Sequence, residues 1–152
     1  MEILARQRPS WQPEHVKVIT ALLWDITKAS CCGGSIARAY SVFAEGGKEL
    51  GLSEKTLKKL IAPATPPRHG FFDEVMKGDV QFSLGFMKPS VLWSFGGPSS
   101  FGFPGAGGSM GFADPTAGIG YAYVTSQMGT ALTGDPREVA LRSALYAGLQ
   151  KL

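Results

Sequence analysis

Charge is nearly absent from one long part of this 152-residue chain. Between Pro89 and Gly134 the only charged residue is Asp114, although the chain carries 15 basic and 12 acidic residues and a net charge of +3. No run of five or more like charges occurs, which argues against a nucleic-acid-binding surface. A long segment with so little charge is typical of a protein core or of the wall of a binding pocket.

Long apolar runs are also missing. The most apolar stretch, 16–26, is interrupted by Lys17 and Asp25 and is shorter than the roughly 18 apolar residues of a membrane-spanning helix. The segment 1–13 contains charged residues and prolines where a secretory signal has its apolar region. We therefore expect neither a membrane segment nor a secretion signal, which favours the cytoplasm.

Cysteine and histidine are too few for a disulfide framework or a metal centre. Cys31 and Cys32 are neighbours, where a disulfide needs a strained local geometry and no zinc pattern exists. His15 and His69 have no Asp or Cys at ligand-like spacing. We predict reduced thiols, no metal and no cofactor. His69 lies in a proline-rich loop, where it either faces a substrate cleft or is an exposed loop side chain.

The residue patterns predict an α+β domain in which an antiparallel sheet is flanked by helices. Helical spacing occurs over 16–26, from an N-cap at Ser35 to Gly46-Gly47, over Ser53–Ile61, and from an N-cap at Asp135 onward. Pro136 and Glu138 suit the first turn of the last helix, which is expected to cover the sheet. The apolar faces consist of Ile36, Ala37, Tyr40, Phe43 and Ala44 in the second helix and of Leu141, Leu145, Leu149 and Leu152 in the last.

Three or four strands are expected from Val80 onward. Apolar and polar residues alternate from Val80 to Phe86, which predicts one strand. Turn residues in 113–118 lie between two strand-like runs, which predicts a hairpin with arms at 108–113 and 119–127. The loop 62–70 contains several prolines and should run extended over the surface.

The glycine-rich part carries a family resemblance. The runs FGFPGAGGS (101–109), GFADP (111–115) and GYAYVT (120–125) resemble the β-lactamase-related serine hydrolases, which include class C β-lactamases, penicillin-binding DD-peptidases and esterases. The resemblance implies that Phe103-Pro104-Gly105 takes the place of the Lys-Thr-Gly motif on the strand at the edge of the active site. It also covers 1–13, a run similar to a family segment between the nucleophile helix and the next catalytic motif.

The resemblance implies a candidate oxyanion-hole wall. The residue after the Lys-Thr-Gly equivalent, here Ala106, would supply one backbone amide to the oxyanion hole. Phe103 departs from the family, whose members have His or Lys there, so a polar group is missing. The alternative is that the glycines only allow close strand packing. The candidate wall consists of Phe103, Pro104, Gly105, Ala106, Gly107, Gly108 and Ser109.

The nucleophile of the family is missing from this sequence. The family acylates a serine activated by a lysine in Ser-x-x-Lys, helped by a tyrosine motif, yet no serine here has a lysine three positions later. The nearest arrangement, Ser53-Glu54-Lys55, has Thr56 at the required position, and no tyrosine matches the second motif. The family resemblance therefore does not imply a working enzyme.

A phosphate-binding loop is the other reading of the glycines. Gly102–Ser109 fits G-x-x-x-x-G-K-[ST] except that Gly108 replaces the lysine, and the residues that follow suit a strand rather than the required helix. We therefore expect no nucleotide.

The chain is thus predicted to have two parts. Residues 1–34 form a divergent helical lead-in that matches the family only at 1–13, and 35–152 form the carboxy-terminal part of a β-lactamase-like domain. The nucleophile helix would lie upstream of Met1. We expect a fragment or deletion variant that is inactive alone, or a noncatalytic binding or scaffold module. Expected partners are a small acyl ester or amide once the domain is completed and a second copy at an unpaired strand edge, but not nucleic acid or membrane.

Overall fold

The computed structural model describes residues 33–131 and 134–150. The predictions for a helix over 16–26, a family match over 1–13 and reduced cysteines lie outside the described residues, as does Leu152. The described part combines helices with antiparallel strands, so the predicted α+β class is confirmed. None of its helices is long and apolar enough to cross a membrane.

Seven short strands form two antiparallel sheets. Their bounds are β1 Phe72–Asp73, β2 Gly78–Asp79, β3 Phe82–Ser83, β4 Phe86–Met87, β5 Phe101–Gly105, β6 Ser109–Asp114 and β7 Ile119–Tyr123. Strands β1 and β2 pair with each other, and the larger sheet has the order β3-β4-β5-β6-β7. Strand β6 lies between β5 and β7 and is almost entirely buried, which explains why this part of the sequence carries so little charge.

The hairpin formed by β6 and β7 confirms the predicted turn. Asp114 Oδ1 accepts hydrogen bonds from the amides of Thr116 at 3.1 Å and Ala117 at 3.2 Å, and Gly118 takes a φ of 66°. An Asp side chain that bonds to amides two and three residues later is a common way to stabilise a tight turn. The second arm ends at Tyr123 rather than at residue 127.

The prediction of one strand from Val80 to Phe86 is wrong. The segment is a hairpin in which Leu84 and Gly85, at φ 51° and 83°, form the turn between β3 and β4. Two consecutive residues at positive φ define the turn type that suits two-residue hairpin loops. Leucine rarely adopts positive φ, so no residue before Gly85 indicated a turn.

The first two helices flank the sheet and start and stop close to their predicted positions. Helix α1, Gly33–Ala44, already includes Ser35, so the prediction of an N-cap at Ser35 is wrong. Gly33 lies against Val124. It ends before the glycines at 46 and 47, both at positive φ, as predicted. Helix α2, Glu54–Ile61, confirms the predicted helix over Ser53–Ile61, and its N-cap is Ser53, whose side chain accepts from the Thr56 amide. A 3-10 turn, Lys48–Leu50, lies between them.

The last helix is correctly predicted at its start but not in its packing face. Helix α3, Pro136–Leu149, is capped by Asp135, which accepts from the Arg137 amide, with proline in the first turn. Its leucines do not form the buried face, since Leu141 is 56% and Leu145 37% exposed. The buried face is polar instead and is formed by Glu138, Arg142 and Tyr146.

Two apolar clusters lie in the sheet region. One includes α1 and contains Ile36, Tyr40, Phe43, Ala44, Leu60, Phe86, Phe101 and Ala113. The other includes the 93–95 segment and part of α3 and contains Val80, Met87, Trp93, Phe95, Met110 and Phe112. Helix α1 lies very close to the sheet at two glycines, because a methyl group on Gly111 would overlap Tyr40 and one on Gly120 would overlap the Ser41 backbone. The loop 62–70 is mostly exposed, as predicted, although Ala64 is buried.

Candidate functional site

Strand β5 carries the residues that the sequence predicted as an active-site wall. It pairs with β6 along its whole length, from Phe101 opposite Ala113 to Gly105 opposite Ser109. On the other side its only strand partner is Met87 of β4, at Gly102. Within the described residues, the outer edge of β5 is therefore unpaired from residue 103 to residue 105.

In the turn after β5, one backbone donor has no partner among the described residues. The Ala106 amide donates no hydrogen bond within the described ranges, whereas the Gly107 amide donates to Ala131 O at 3.2 Å and the Gly108 amide to Gly105 O at 3.2 Å. Ala106 is exposed and the two glycines are buried, with φ values of 92° and 109°. Among residues 33–131 and 134–150, the turn thus presents an N–H without a partner next to an unpaired strand edge, and a backbone N–H of this kind can donate to an anion.

Phe103 makes the wall next to this donor apolar. Its side chain is partly buried, and its ring lies 6.0 Å from that of Phe82 at an interplanar angle of 38°. Phe82 is 46% exposed, so the two rings form a half-open apolar surface. At this position the chain offers no charge and no side-chain hydrogen-bond donor.

The glycine turn is hydrogen-bonded to the segment that leads into α3. The Gly129 amide donates to Gly107 O at 2.8 Å. Asp135, 4% exposed, lies against Gly108 so closely that a methyl group there would overlap its carboxylate. Hydrogen bonds from Arg137 are the main reason why the pKa of Asp135 falls to about 2. Both residues of this ion pair are therefore charged throughout the physiological pH range.

His69 is exposed in the turn that follows Pro67, where the Gly70 amide donates to Pro67 O. No hydrogen bond among the described residues connects His69 to β5 or to the glycine turn. The structure therefore does not bring His69 together with the other candidate residues.

A buried lysine that was not predicted from the sequence follows β4, the strand next to β5. Lys88 is 2% exposed, and its Nζ donates to Leu60 O at 2.7 Å and to Ser99 O at 3.4 Å. The ammonium also lies 5.5 Å from the ring centre of Phe101. Burial lowers the pKa of Lys88 to about 8. One signal could have found it, because Lys88 is the only charged residue between Val80 and Ala113.

A cavity of about 370 Å³ lies between α3, the segment 92–95 and the β5–β6 turn. It touches Pro104, Gly108 and Ser109 but not Ala106. The cavity is lined by one arginine, Arg142. The Arg142 guanidinium already donates to Glu138 at 2.8 Å and to Ser94 O at 3.0 Å. The cavity therefore offers no free positive charge, and sequence analysis had not predicted it.

No group of three or more metal-ligating side chains occurs within 33–131 and 134–150. The chemistry available at the candidate site is thus limited to a backbone donor, an open strand edge and an apolar wall.

Comparison with solved structures identifies the class to which this fold belongs. A family VIII carboxylesterase matches with 35% sequence identity and a TM-score of 0.62, over 74% of this chain and 30% of the esterase. A penicillin-binding protein homolog from Caulobacter crescentus matches with 37% identity and a TM-score of 0.59 over the same shares. EstA from Arthrobacter nitroguajacolicus Rue61a matches with 30% identity and a TM-score of 0.54, over 66% of this chain and 26% of EstA.

These three proteins are β-lactamase-related serine hydrolases, so the family resemblance predicted from the sequence is confirmed for the matched part of the chain. The fold is β-lactamase-like or transpeptidase-like over that partial match. The chain spans about 30% of the length of the first two proteins. No family model matches the sequence. No curated protein matches it either.

Proposed function

We propose that this chain supplies the oxyanion-hole strand of a β-lactamase-like serine hydrolase and does not catalyse acyl transfer by itself. The observation that carries the proposal is Ala106, an exposed residue whose amide has no hydrogen-bond partner within the described residues. In the reaction of the family, a serine attacks an ester or amide carbonyl, and the oxygen becomes an anion. A fixed backbone donor at that oxygen stabilises the transition state by about 3 kcal/mol.

The substrate class of the completed site is a small acyl ester or amide. Phe103 and Phe82 would provide an apolar contact for the acyl group rather than a cation for a carboxylate. This favours neutral esters over substrates that carry a carboxylate beside the scissile bond. The Ser-x-x-Lys and tyrosine motifs would come from polypeptide outside this sequence.

Inactivity of the chain alone follows from the missing nucleophile. Removing the catalytic serine of a serine hydrolase lowers the rate on the order of a million-fold. The purified chain should therefore hydrolyse neither a chromogenic β-lactam nor a p-nitrophenyl ester above a denatured control. It should also remain unlabelled by a fluorophosphonate, and labelling of a defined serine would contradict the proposal.

Reconstitution tests the proposed role of Ala106 directly. A fusion supplies the Ser-x-x-Lys helix of a related esterase ahead of Met1 and its tyrosine segment in place of residues 14–34. We expect weak esterase activity. Phe103→His should raise it by about a hundred-fold, because a positioned hydrogen-bonding or acid–base group commonly contributes that much. Phe103→Lys should help less, since the ammonium loses hydration without an anionic partner.

The outcome of the fusion can contradict the proposal in two ways. A folded fusion that does not acylate would refute the proposal that Ala106 is an oxyanion donor. Equal rates with phenylalanine and histidine at position 103 would show that the motif has been aligned to the wrong residues.

The second candidate function is that of a noncatalytic binding module. The observation that favours it is the same apolar wall, because Phe103 replaces the polar residue that the family uses in chemistry. Such a module would bind a neutral p-nitrophenyl ester without turning it over, and Phe103→Ala would weaken that binding. Sequencing the DNA upstream of Met1 separates the two candidates, since only the hydrolase interpretation predicts a Ser-x-x-Lys motif there.

A further inference from the structure

The glycine turn that carries Ala106 has few contacts of its own with the sheet. Gly107 and Gly108 have no side chains, and within the described residues the turn's one hydrogen bond to the sheet is the 3.2 Å bond from the Gly108 amide to Gly105 O. A glycine turn held only in this way would be mobile. A backbone donor is useful for catalysis only if it is fixed before the reaction. The turn therefore needs support from another part of the chain.

That support comes from the segment 127–131, which lies against the turn. Gly129 donates its amide to Gly107 O at 2.8 Å, and Gly107 donates its own amide to Ala131 O at 3.2 Å. Met128 lies beside Gly107, where an added methyl group would come within 3.0 Å of its side chain. The segment itself is irregular in structure, so its position must in turn be fixed by something else.

A guanidinium fixes that segment. Arg137 Nη1 donates to Gln127 O at 3.1 Å, while its Nε and Nη2 donate to the two carboxylate oxygens of Asp135 at 2.9 and 2.7 Å. Asp135 also caps α3 through the Arg137 amide and lies against Gly108. One planar group thus connects the start of a helix with the segment that supports the turn, and only arginine offers donors in this forked arrangement.

We infer that Arg137 is a positioning residue: together with Asp135 and the segment 127–131 it forms a clamp that holds Ala106 in place for binding an oxyanion. The inference rests on the proposed function in one respect, namely that Ala106 is the oxyanion donor. The clamp itself is a property of the chain as it stands. Arg137 touches neither the Ala106 amide nor the open edge of β5 by any hydrogen bond of the described residues.

The test measures amide behaviour residue by residue in the full isotope-labelled chain by NMR. Arg137→Gln removes the charge and the fork, whereas Arg137→Lys keeps the charge. The matched control is Arg142→Gln, which removes the other ion pair of α3, to Glu138, without contacting the turn. Hydrogen exchange is followed at Gly107 and Gly129 and compared with the interior strand β6.

In Arg137→Gln we expect exchange at these two glycines to accelerate by at least about tenfold while β6 changes by less than about threefold. The order parameter of the Ala106 amide should fall from about 0.85 toward 0.6. Arg137→Lys should restore part of the protection, and Arg142→Gln should leave the turn unchanged. A merely structural role would instead accelerate all amides of the sheet together.

Three results would overturn the inference. The first is unchanged exchange at Gly107 and Gly129 in Arg137→Gln, and the second is an equal effect of Arg142→Gln on the turn. The third needs no variant: in the unmutated chain both glycines should exchange more slowly than Gly118, an exposed turn residue, and equal rates would mean that no clamp exists. Acylation by the fusion is a separate readout, so a failed fusion with an intact clamp would refute only the proposed function.

Discussion

The hydroxyl of Tyr146 donates a 2.6 Å hydrogen bond to Oδ2 of Asp114. The same carboxylate oxygen accepts from the Gly97 amide at 2.8 Å, while Oδ1 holds the β6–β7 turn. Asp114 is 1% exposed. Through these hydrogen bonds its carboxylate connects three parts of the chain, namely helix α3, the loop before β5 and the β6–β7 hairpin. Burial, followed by the hydrogen bond to Asp114, raises the pKa of Tyr146 above its ordinary value.

We predict that Tyr146→Phe lowers the free energy of unfolding by about 1.5–3 kcal/mol, the usual contribution of a hydrogen bond to a charged group. Asp114→Ala should cost more, because it leaves four amide and hydroxyl donors without their acceptor. Urea unfolding followed by circular dichroism measures both. Tyr123→Phe is the control, since no side-chain hydrogen bond of Tyr123 occurs among the described residues. An equal loss in that control would mean that the bond to Asp114 contributes nothing specific.

A second prediction concerns the close approach of α1 to the sheet. Gly120→Ala should destabilise the chain by about 1–3 kcal/mol, because the new methyl group overlaps the backbone of Ser41 and the Ala37 carbonyl. Gly34→Ala in α1 meets no atom within 4 Å and should be neutral or slightly stabilising, since alanine favours helices. Thermal unfolding of both variants checks this. Equal stabilities would show that the helix does not pack at this distance.

Lys88 makes the stability depend on alkaline pH. Its pKa in the folded chain is about 8, below the ordinary value of 10.5, so between these values the unfolded chain binds the additional proton. Stability should therefore rise as the pH increases from about 8 to 10. Burial raises the pKa of Tyr40 and, together with Glu138, that of Tyr121. Those phenols oppose the rise above about pH 10, where unfolded tyrosine ionises.

Lys88→Met should abolish the rise between about pH 8 and 10 in a series of urea unfolding curves. Lys77→Met is the matched control, because Lys77 is exposed and paired with Glu74 at the surface. A rise that persists in Lys88→Met would assign it to another group.

Self-association is the fourth prediction. Two surfaces could bind a second copy: the outer edge of β7, which has no strand partner in the part of the chain that the structure describes, and the exposed leucines of α3. Sheet edges commonly pair between molecules. Sedimentation at increasing concentration should show a species larger than a monomer. Ile119→Lys should remove it if the strand edge mediates contact, and Leu145→Gln if the helix does. A strict monomer at all concentrations would contradict the prediction.

The sequence predicted the sheet strands that carry the candidate site better than it predicted the packing around them. The turn at Asp114 was predictable because its residues favour one local geometry, and the cap at Asp135 was predictable for the same reason. The buried face of α3 was not, because it depends on Tyr146 reaching Asp114 across 32 residues of chain. Leucine spacing alone indicated a neighbouring face, about 100° away around the helix.

For the candidate site, the family resemblance identified the run from Phe103 to Ser109 but not the contacts that fix its position. The run is continuous, so a motif can identify it. The clamp joins Arg137 to Gln127 and thereby to Gly107, and contacts between distant segments leave no local pattern. The hydrogen bonds from Lys88 to two backbone carbonyls could not be predicted for the same reason. Every residue has a backbone carbonyl, so the sequence does not show which one accepts.

The turn at Leu84 has a consequence for the order in which the chain folds. A leucine at positive φ costs about 1 kcal/mol relative to glycine or asparagine, so the β3–β4 hairpin opposes its own formation. It becomes favourable only when Phe86 can pack on Phe101, whose ring centre lies 5.3 Å away. We therefore expect β5 to β7 to form the folding nucleus and the β3–β4 hairpin to join late. Leu84→Gly should then slow unfolding while leaving the rate of folding almost unchanged.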